Sequence, residues 1–121
     1  MYKPFEDVAT FMEAAGQTTK EKNETQAELY YKLIQEEVSE LETSKTIDDK
    51  AEVIDACFDT IWVIVGYLHS LGYDIDAIWN EGAQSNLIKI NKETGQVVKR
   101  DDGKILKPEG WRPPNFYQFV K

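Results

Sequence analysis

The sequence predicts an all-α chain: four helices, then a small C-terminal β-hairpin and a Pro-rich arm. Three observations carry this class. Apolar residues recur at helical spacing through roughly the first 90 residues of the chain. Glycines stand where two of those runs stop, at Gly16 and Gly72. β-Prone residues gather only late, on either side of Asp101-Asp102-Gly103 in "QVVKRDDGKIL", which is a hairpin signal. The 121 residues fit a single domain, with a helical core at about 4–90 and the hairpin and arm at about 91–121.

The first helix is expected over about residues 4–15. Pro4 suits its first position, and Phe5, Val8, Phe11, Met12 and Ala15 repeat at helical spacing. "QTTKEKNE" is a polar linker. "TQAE" reads as a capping box, Thr25 with Glu28, opening a second helix over about residues 26–43, which "SKTIDDK" breaks. A third helix is expected over about residues 49–71. Asp74 caps a short fourth helix through Trp79 to about Ala83. "KPEGWRPPNFYQFVK" is either an ordered arm or a flexible end. No repeats or low-complexity tracts interrupt this order.

The chain carries 22 acids against 14 bases, for a net charge of -8 and a pI of about 4.6. A duplex nucleic-acid binder needs a basic footprint, and this balance excludes one. A polyanionic nucleotide stays possible if a cation lies between it and the acids. Cys57, the only cysteine, permits no internal disulfide and reads as a small core residue. The apolar run at 61–66 is too short for a membrane span, and "MYKPFEDVATF" is neither a signal nor a transit peptide. A reducing cytoplasm is the expected compartment.

Some acids stand where the helical pattern calls for apolar residues. On the second helix, Leu29, Tyr30, Leu33 and Leu41 mark a buried stripe, and Glu37 and Glu40 fall within roughly 40° of Leu33. Glu36 sits at the stripe's edge. The third helix is apolar nearly all round and so is expected to be buried on most sides, except for a strip of Glu52, Asp55 and Asp59. The bases between Thr25 and Leu71 are Lys32, Lys45 and Lys50, too few to pair these acids. Unpaired buried carboxylates cost several kcal/mol or take up protons. A solvated acidic face is the plain reading of such residues. Their coincidence with the apolar stripe favours a bound hard divalent cation, Mg²⁺ or Mn²⁺, since every ligand would be a carboxylate oxygen.

"EEVSE" at 36–40 followed by "EVID" at 52–55 resembles the EExxE…ExxD signature of the all-α nucleoside triphosphate pyrophosphohydrolases, the MazG-like superfamily. "LIQEEVSEL" and "DTIWVIVGYLHSLGYD" resemble its two motif helices. "SNLIKI" and "GQVVKRDDGKILKPEGWRPPNF" resemble the C-terminal block of a phage-type and bacterial subgroup. The resemblance implies a four-to-five-helix bundle, a homodimer or homotetramer, and hydrolysis of an NTP or dNTP to the monophosphate and pyrophosphate. It implies Glu37, Glu40, Glu52 and Asp55 as Mg²⁺ ligands and Glu36 as the group that orients or deprotonates water. It also implies Asn86 and Lys89 as nucleotide contacts, with Lys104, Lys107 and Arg112 as further candidates to neutralise the leaving pyrophosphate. The sequence departs from the family in its short spacing of 11 residues between Glu40 and Glu52. Asp59 is an extra ligand or an acceptor just behind the ligands.

Two other readings compete. Phosphoribosyl-ATP pyrophosphohydrolase relatives share the acid pattern, although the hairpin and arm look unlike theirs. A non-catalytic helical dimer, binding a structural divalent ion or a basic partner protein, would also explain buried acids. Trp111, Phe116 and Tyr117 could stack on a base, but covering a neighbouring surface is the favoured role. His69 is expected to cap a helix or lie at the surface, without a catalytic role.

Overall fold

The computed structural model describes residues 2–120. It contains four α-helices: α1 (Pro4–Ala14), α2 (Glu24–Thr46), α3 (Lys50–Ser70) and α4 (Ile75–Leu87), followed by a 3-10 turn at Phe116–Phe119. No helix among the described residues is long and apolar enough to cross a membrane. The chain forms two compact units, one ending at Ile75 and the other beginning at Asp76.

In the first unit, helix ends follow from local chemistry. Pro4 opens α1, with Glu6 and Asp7 placed favourably in its first turn. Each of the first three helices closes with the same pair of hydrogen bonds, the Schellman pattern. At α1, Gly16 N donates to Glu13 O and Gln17 N to Met12 O; at α3, Gly72 N donates to His69 O and Tyr73 N to Leu68 O. At α2 the left-handed residue is Asp48, with φ 57°. Asp48 N donates to Lys45 O and Asp49 N to Ser44 O. An aspartate in a position usually held by glycine explains why α2 runs three residues beyond its expected end. Its start also differs. Asn23, not Thr25, is the cap, accepting from Gln26 N at 3.1 Å. Asp49 caps α3 by accepting from Glu52 N at 3.1 Å.

The core of this unit is Val8, Met12, Tyr30, Val63, Val65 and Ile75, with Leu33, Ile34, Trp62 and Leu68 packed against it. Tyr30 packs against Gly66, where a Cβ would come within 2.3 Å of a ring carbon, so only glycine permits the approach. The Tyr30 hydroxyl donates to Gln17 Oε1 at 2.7 Å. Beside it, Gln26 Nε2 donates to Thr18 O at 2.7 Å and to Ser70 Oγ at 2.8 Å, while its Oε1 accepts from Thr18 N at 3.0 Å. Ser70 Oγ in turn donates to Gly66 O. The linker before α2 is thereby stitched to the end of α3.

Several expectations fail here. Leu29 is half exposed, and Cys57 is exposed rather than in the core. The face of α3 bearing Ile54, Phe58 and Ile61 is exposed as well. The reason is that α3 has two apolar faces, and this unit supplies partners for only one. His69 is buried, with Nε2 3.2 Å from Phe5 O. A carbonyl can only accept, so Nε2 carries the proton.

In the second unit, α4 extends four residues past its expected end. The expected β-hairpin is absent, since no strand occurs among the described residues. What remains is one antiparallel bridge, Lys99 with Ile105, around a turn closed by Arg100 N donating to Lys104 O. Asp102 holds the turn, accepting from Arg100 Nε and Nη2 and from Lys104 N. Val98, Ile105 and Leu106 on the flanking runs are exposed, so no buried face rewards a longer ladder. The arm itself is ordered: Trp111 Nε1 donates to Ser85 O and Asn115 N to Glu81 Oε2, both at 2.8 Å.

Candidate active site

The three-residue connection between α2 and α3 folds them back as antiparallel neighbours, and this brings acids from both helices together. Glu37 and Glu40 of α2 interact with Asp55 and Asp59 of α3. Burial pushes the Glu37 carboxyl up from 4.5 to about 7, helped by a hydrogen bond with Glu40 and by the negative charges of Glu40, Asp59 and Asp55. Burial also raises Asp59, reinforced by the charges of Asp55 and Glu40 and by a hydrogen bond with Asp55. Two carboxyl groups can share a hydrogen bond only when one holds a proton. Glu37 Oε2 is fully buried and has no hydrogen-bond partner. The ion pairs found among the described residues, Lys3–Glu6, Lys22–Glu24 and Arg100–Asp102, all lie elsewhere in the sequence.

The chemistry of this group can be tested against the implied ion. Its donors are all carboxylate oxygens, which suits Mg²⁺ or Mn²⁺ and not a soft metal. The partnerless Glu37 oxygen is the kind of atom a cation would satisfy. Among the described residues, however, no three acids stand in a ready-made ligating arrangement. The donor set fits a hard divalent ion, and its side chains would have to close around one.

The other sequence-derived candidates fall in different surroundings. Glu36 is exposed and borders an open hollow with Lys32, Gln35, Ser39 and Glu40. Glu52 is exposed in the first turn of α3 and is not among the charges that perturb Glu37. Asp59, assigned an auxiliary place from sequence, lies inside the group with Glu37. Phe11 packs edge-on against Trp62, with ring centroids 5.7 Å apart.

In the second unit, Lys89 Nζ donates to Asn86 Oδ1 at 3.1 Å. Lys89 and Lys107 also place their ammonium groups 4.9 and 4.8 Å from the centroid of the Trp111 ring. Lys104 serves the turn through its backbone, and Arg112 is exposed. Sequence reasoning named these lysines singly and missed that one indole gathers two of them. Aromatic residues interleaved with bases in the arm were the available signal.

A helical hairpin with facing acids on consecutive long helices makes this an all-α chain whose candidate site offers carboxylates rather than histidines or cysteines. A family model described as phosphoribosyl-ATP pyrophosphohydrolase matches residues 5–86, about two-thirds of the chain, and the protein belongs to that family. No curated protein matches the chain. Family membership implies a pyrophosphohydrolase, a hydrolase of a phosphoanhydride bond. The match takes in all but the first residue of α1, all of α2 and α3 and all but the last residue of α4, and it leaves the arm outside.

Proposed function

We propose that the protein hydrolyses a nucleoside triphosphate, ribo or deoxy, to the monophosphate and pyrophosphate, with Mg²⁺ (or Mn²⁺) held by the α2–α3 acids. One observation carries the reading: Glu37, half-buried with one oxygen fully buried and unpartnered, interacts with three further acids, and no ion pair among the described residues relieves them. Four carboxylates on their own would repel a triphosphate. A divalent ion held there would supply positive charge to phosphate oxygens and acidify a water.

The chain's own residues have separate tasks. Glu37, Glu40, Asp55 and Asp59 would hold the ion, with Glu52, one turn before Asp55, as a further oxygen donor at the exposed end. Glu36, exposed beside Glu40, would accept the proton of the attacking water. Lys89, Lys104, Lys107 and Arg112 are bases that could neutralise charge on the departing pyrophosphate, and Asn86 would contact the nucleotide. The exposed Ile54, Phe58 and Ile61 recur along one stripe of α3, which supports self-association into a homodimer or homotetramer.

The family description favours a second substrate, phosphoribosyl-ATP, whose hydrolysis breaks the same kind of bond and releases the same pyrophosphate. The arm, beyond the matched residues, is where the two readings part. Pyrophosphate release should be measured from a panel of NTPs, dNTPs and phosphoribosyl-ATP, with Mg²⁺ and with EDTA, on wild type and Glu37→Gln. Metal-dependent release lost in the variant supports the reading, and the preferred substrate identifies the branch. A folded protein that binds Mg²⁺ but releases nothing is instead an acid-lined helical assembly holding a structural ion.

A further inference from the structure

The turn ahead of the arm brings together two groups that can react with each other, and the hydrolase reading uses neither. Asp102 is the one Asp or Asn of the chain that is followed by glycine. A glycine has no Cβ to screen its backbone nitrogen, which leaves that nitrogen free to approach the side-chain carboxyl of the residue before it. We propose that Asp102–Gly103 is the chain's site of isoaspartate formation, and that Arg100 is the residue that holds the reaction back. The inference stands apart from the substrate and from the acids of α2 and α3.

The chemistry balances with water alone. The Gly103 nitrogen bonds to Asp102 Cγ and gives up its proton, the carboxyl gives up its hydroxyl, and one water leaves behind a five-membered succinimide. Water then adds to either imide carbonyl. Opening on the side-chain side restores aspartate. Opening on the main-chain side leaves a free α-carboxylate and routes the backbone through Cβ and Cγ, one carbon longer and equal in mass. That carboxylate is the group on which isoaspartyl-methylating repair enzymes act, and they are the class of partner the product would meet.

The structure exposes both groups and ties both to Arg100. Arg100 Nε donates to Asp102 Oδ1 at 3.0 Å and Nη2 donates to Oδ2 at 2.6 Å, so the guanidinium takes both carboxylate oxygens. Lys104 N adds a third bond, to Oδ1 at 3.1 Å. The nucleophile is held as well, since Gly103 N donates to Arg100 O at 2.8 Å. Only the protonated carboxyl can lose water. Arg100, and after it the Lys104 amide, hold Asp102 below the usual carboxylate range and keep that form scarce. An exposed ion pair of this kind adds little to stability, so the work of Arg100 falls on the rate of cyclisation and not on folding. An added backbone carbon lengthens the turn that the Lys99–Ile105 bridge closes, so the isomerised chain should lose that bridge.

The test is storage of the full chain, warm but below its Tm and at about pH 6, where some carboxyl is protonated. Wild type, Arg100→Gln and Asp102→Glu are compared, the last because its cyclisation would need a slower six-membered ring. Glu-specific digestion releases residues 94–109 from every variant, and chromatography separates the isoaspartyl form of that peptide. Arg100→Gln should accumulate it at least about threefold faster than wild type, with Tm within about 2 °C, and Asp102→Glu should accumulate almost none. In guanidinium chloride, where the clamp is gone, wild type should speed up to match Arg100→Gln. The proposal is overturned if folded Arg100→Gln isomerises no faster than wild type, or if isoaspartate forms elsewhere in the chain and not at Asp102. A rate difference that persists unchanged in denaturant also overturns it, because the effect would then belong to the local sequence and not to the folded turn.

Discussion

Two polar groups lie along the same pair of helices, one buried and one half-exposed, and are built on opposite terms. At one end, Gln26 and Ser70 join α2, α3 and the linker, and every bond has both a donor and an acceptor. About three helical turns along α2, Glu37 meets Glu40, Asp55 and Asp59, which are all acceptors when ionised. The first group closes upon itself and makes structure. The second is incomplete without a proton or a cation, and its cost is tolerated because the first end and the apolar core hold the helices together. Breaking the closed end should therefore cost stability before activity. Breaking the open end should cost activity without stability.

The largest expected effect is at the closed end. Gly66→Ala drives a methyl group against the Tyr30 ring and should destabilise by about 3 kcal/mol, lowering Tm by on the order of 10 °C. Thermal unfolding followed by circular dichroism measures it. A shift under about 2 °C would mean that Tyr30 moves aside freely, and the closed end would then not be the rigid partner in this comparison.

Next comes Glu37→Gln, which keeps shape and removes charge. Pyrophosphate release should fall at least about a hundredfold, since even groups behind metal ligands cost 10–100-fold when changed. Metal-free Tm should stay level or rise, because an amide does not have to be desolvated as a charge. Loss of stability together with activity would erase the distinction between the two ends. Third is Gln26→Ala, which strands Thr18 N, Thr18 O and part of Ser70 and should cost about 2 kcal/mol. Its residual activity per folded molecule should remain within about twofold of wild type, read by urea melts beside the same release assay.

How far the sequence foretold these two ends depends on what each requires. Gly16 and Gly72 announce their helix ends because a left-handed residue is needed there, and the structure confirms both. Asp48 fills the same role without the usual residue, so the end of α2 was read three residues early. Glu37 and Glu40 were legible because acids interrupted an apolar stripe. Which acids of α3 face them was less so, because that depends on the register of two helices across their connection. Asp59 therefore looked auxiliary from the sequence and sits beside Glu37 in the structure. The hairpin failed for a different reason: turn chemistry at Asp102-Gly103 was right, but strands also need a face to bury. The convergence of Lys89 and Lys107 on Trp111 runs through coil, where no periodicity carries information.

The smallest effect is also the most discriminating, since it reads the open end without any substrate. The folded Glu37 carboxyl titrates near 7 against an ordinary 4.5, so between those values the folded, metal-free protein binds more protons than the unfolded chain. Stability from this group is complete below about pH 4.5 and is lost as pH rises through about 7. Asp59, raised as well, acts in the same direction. In EDTA, wild type and Glu37→Gln should melt at similar temperatures near pH 5, and the variant should melt higher at pH 7.5. Glutamine mimics the protonated acid at every pH, so the difference between the two curves isolates this residue from the chain's other carboxylates. Added Mg²⁺ should stabilise wild type more at pH 7.5 than at pH 5, because the ion competes with the proton for the same oxygens. Parallel curves, with no Mg²⁺ dependence at either pH, would mean that the acids spread into solvent and that the open end is an ordinary charged surface.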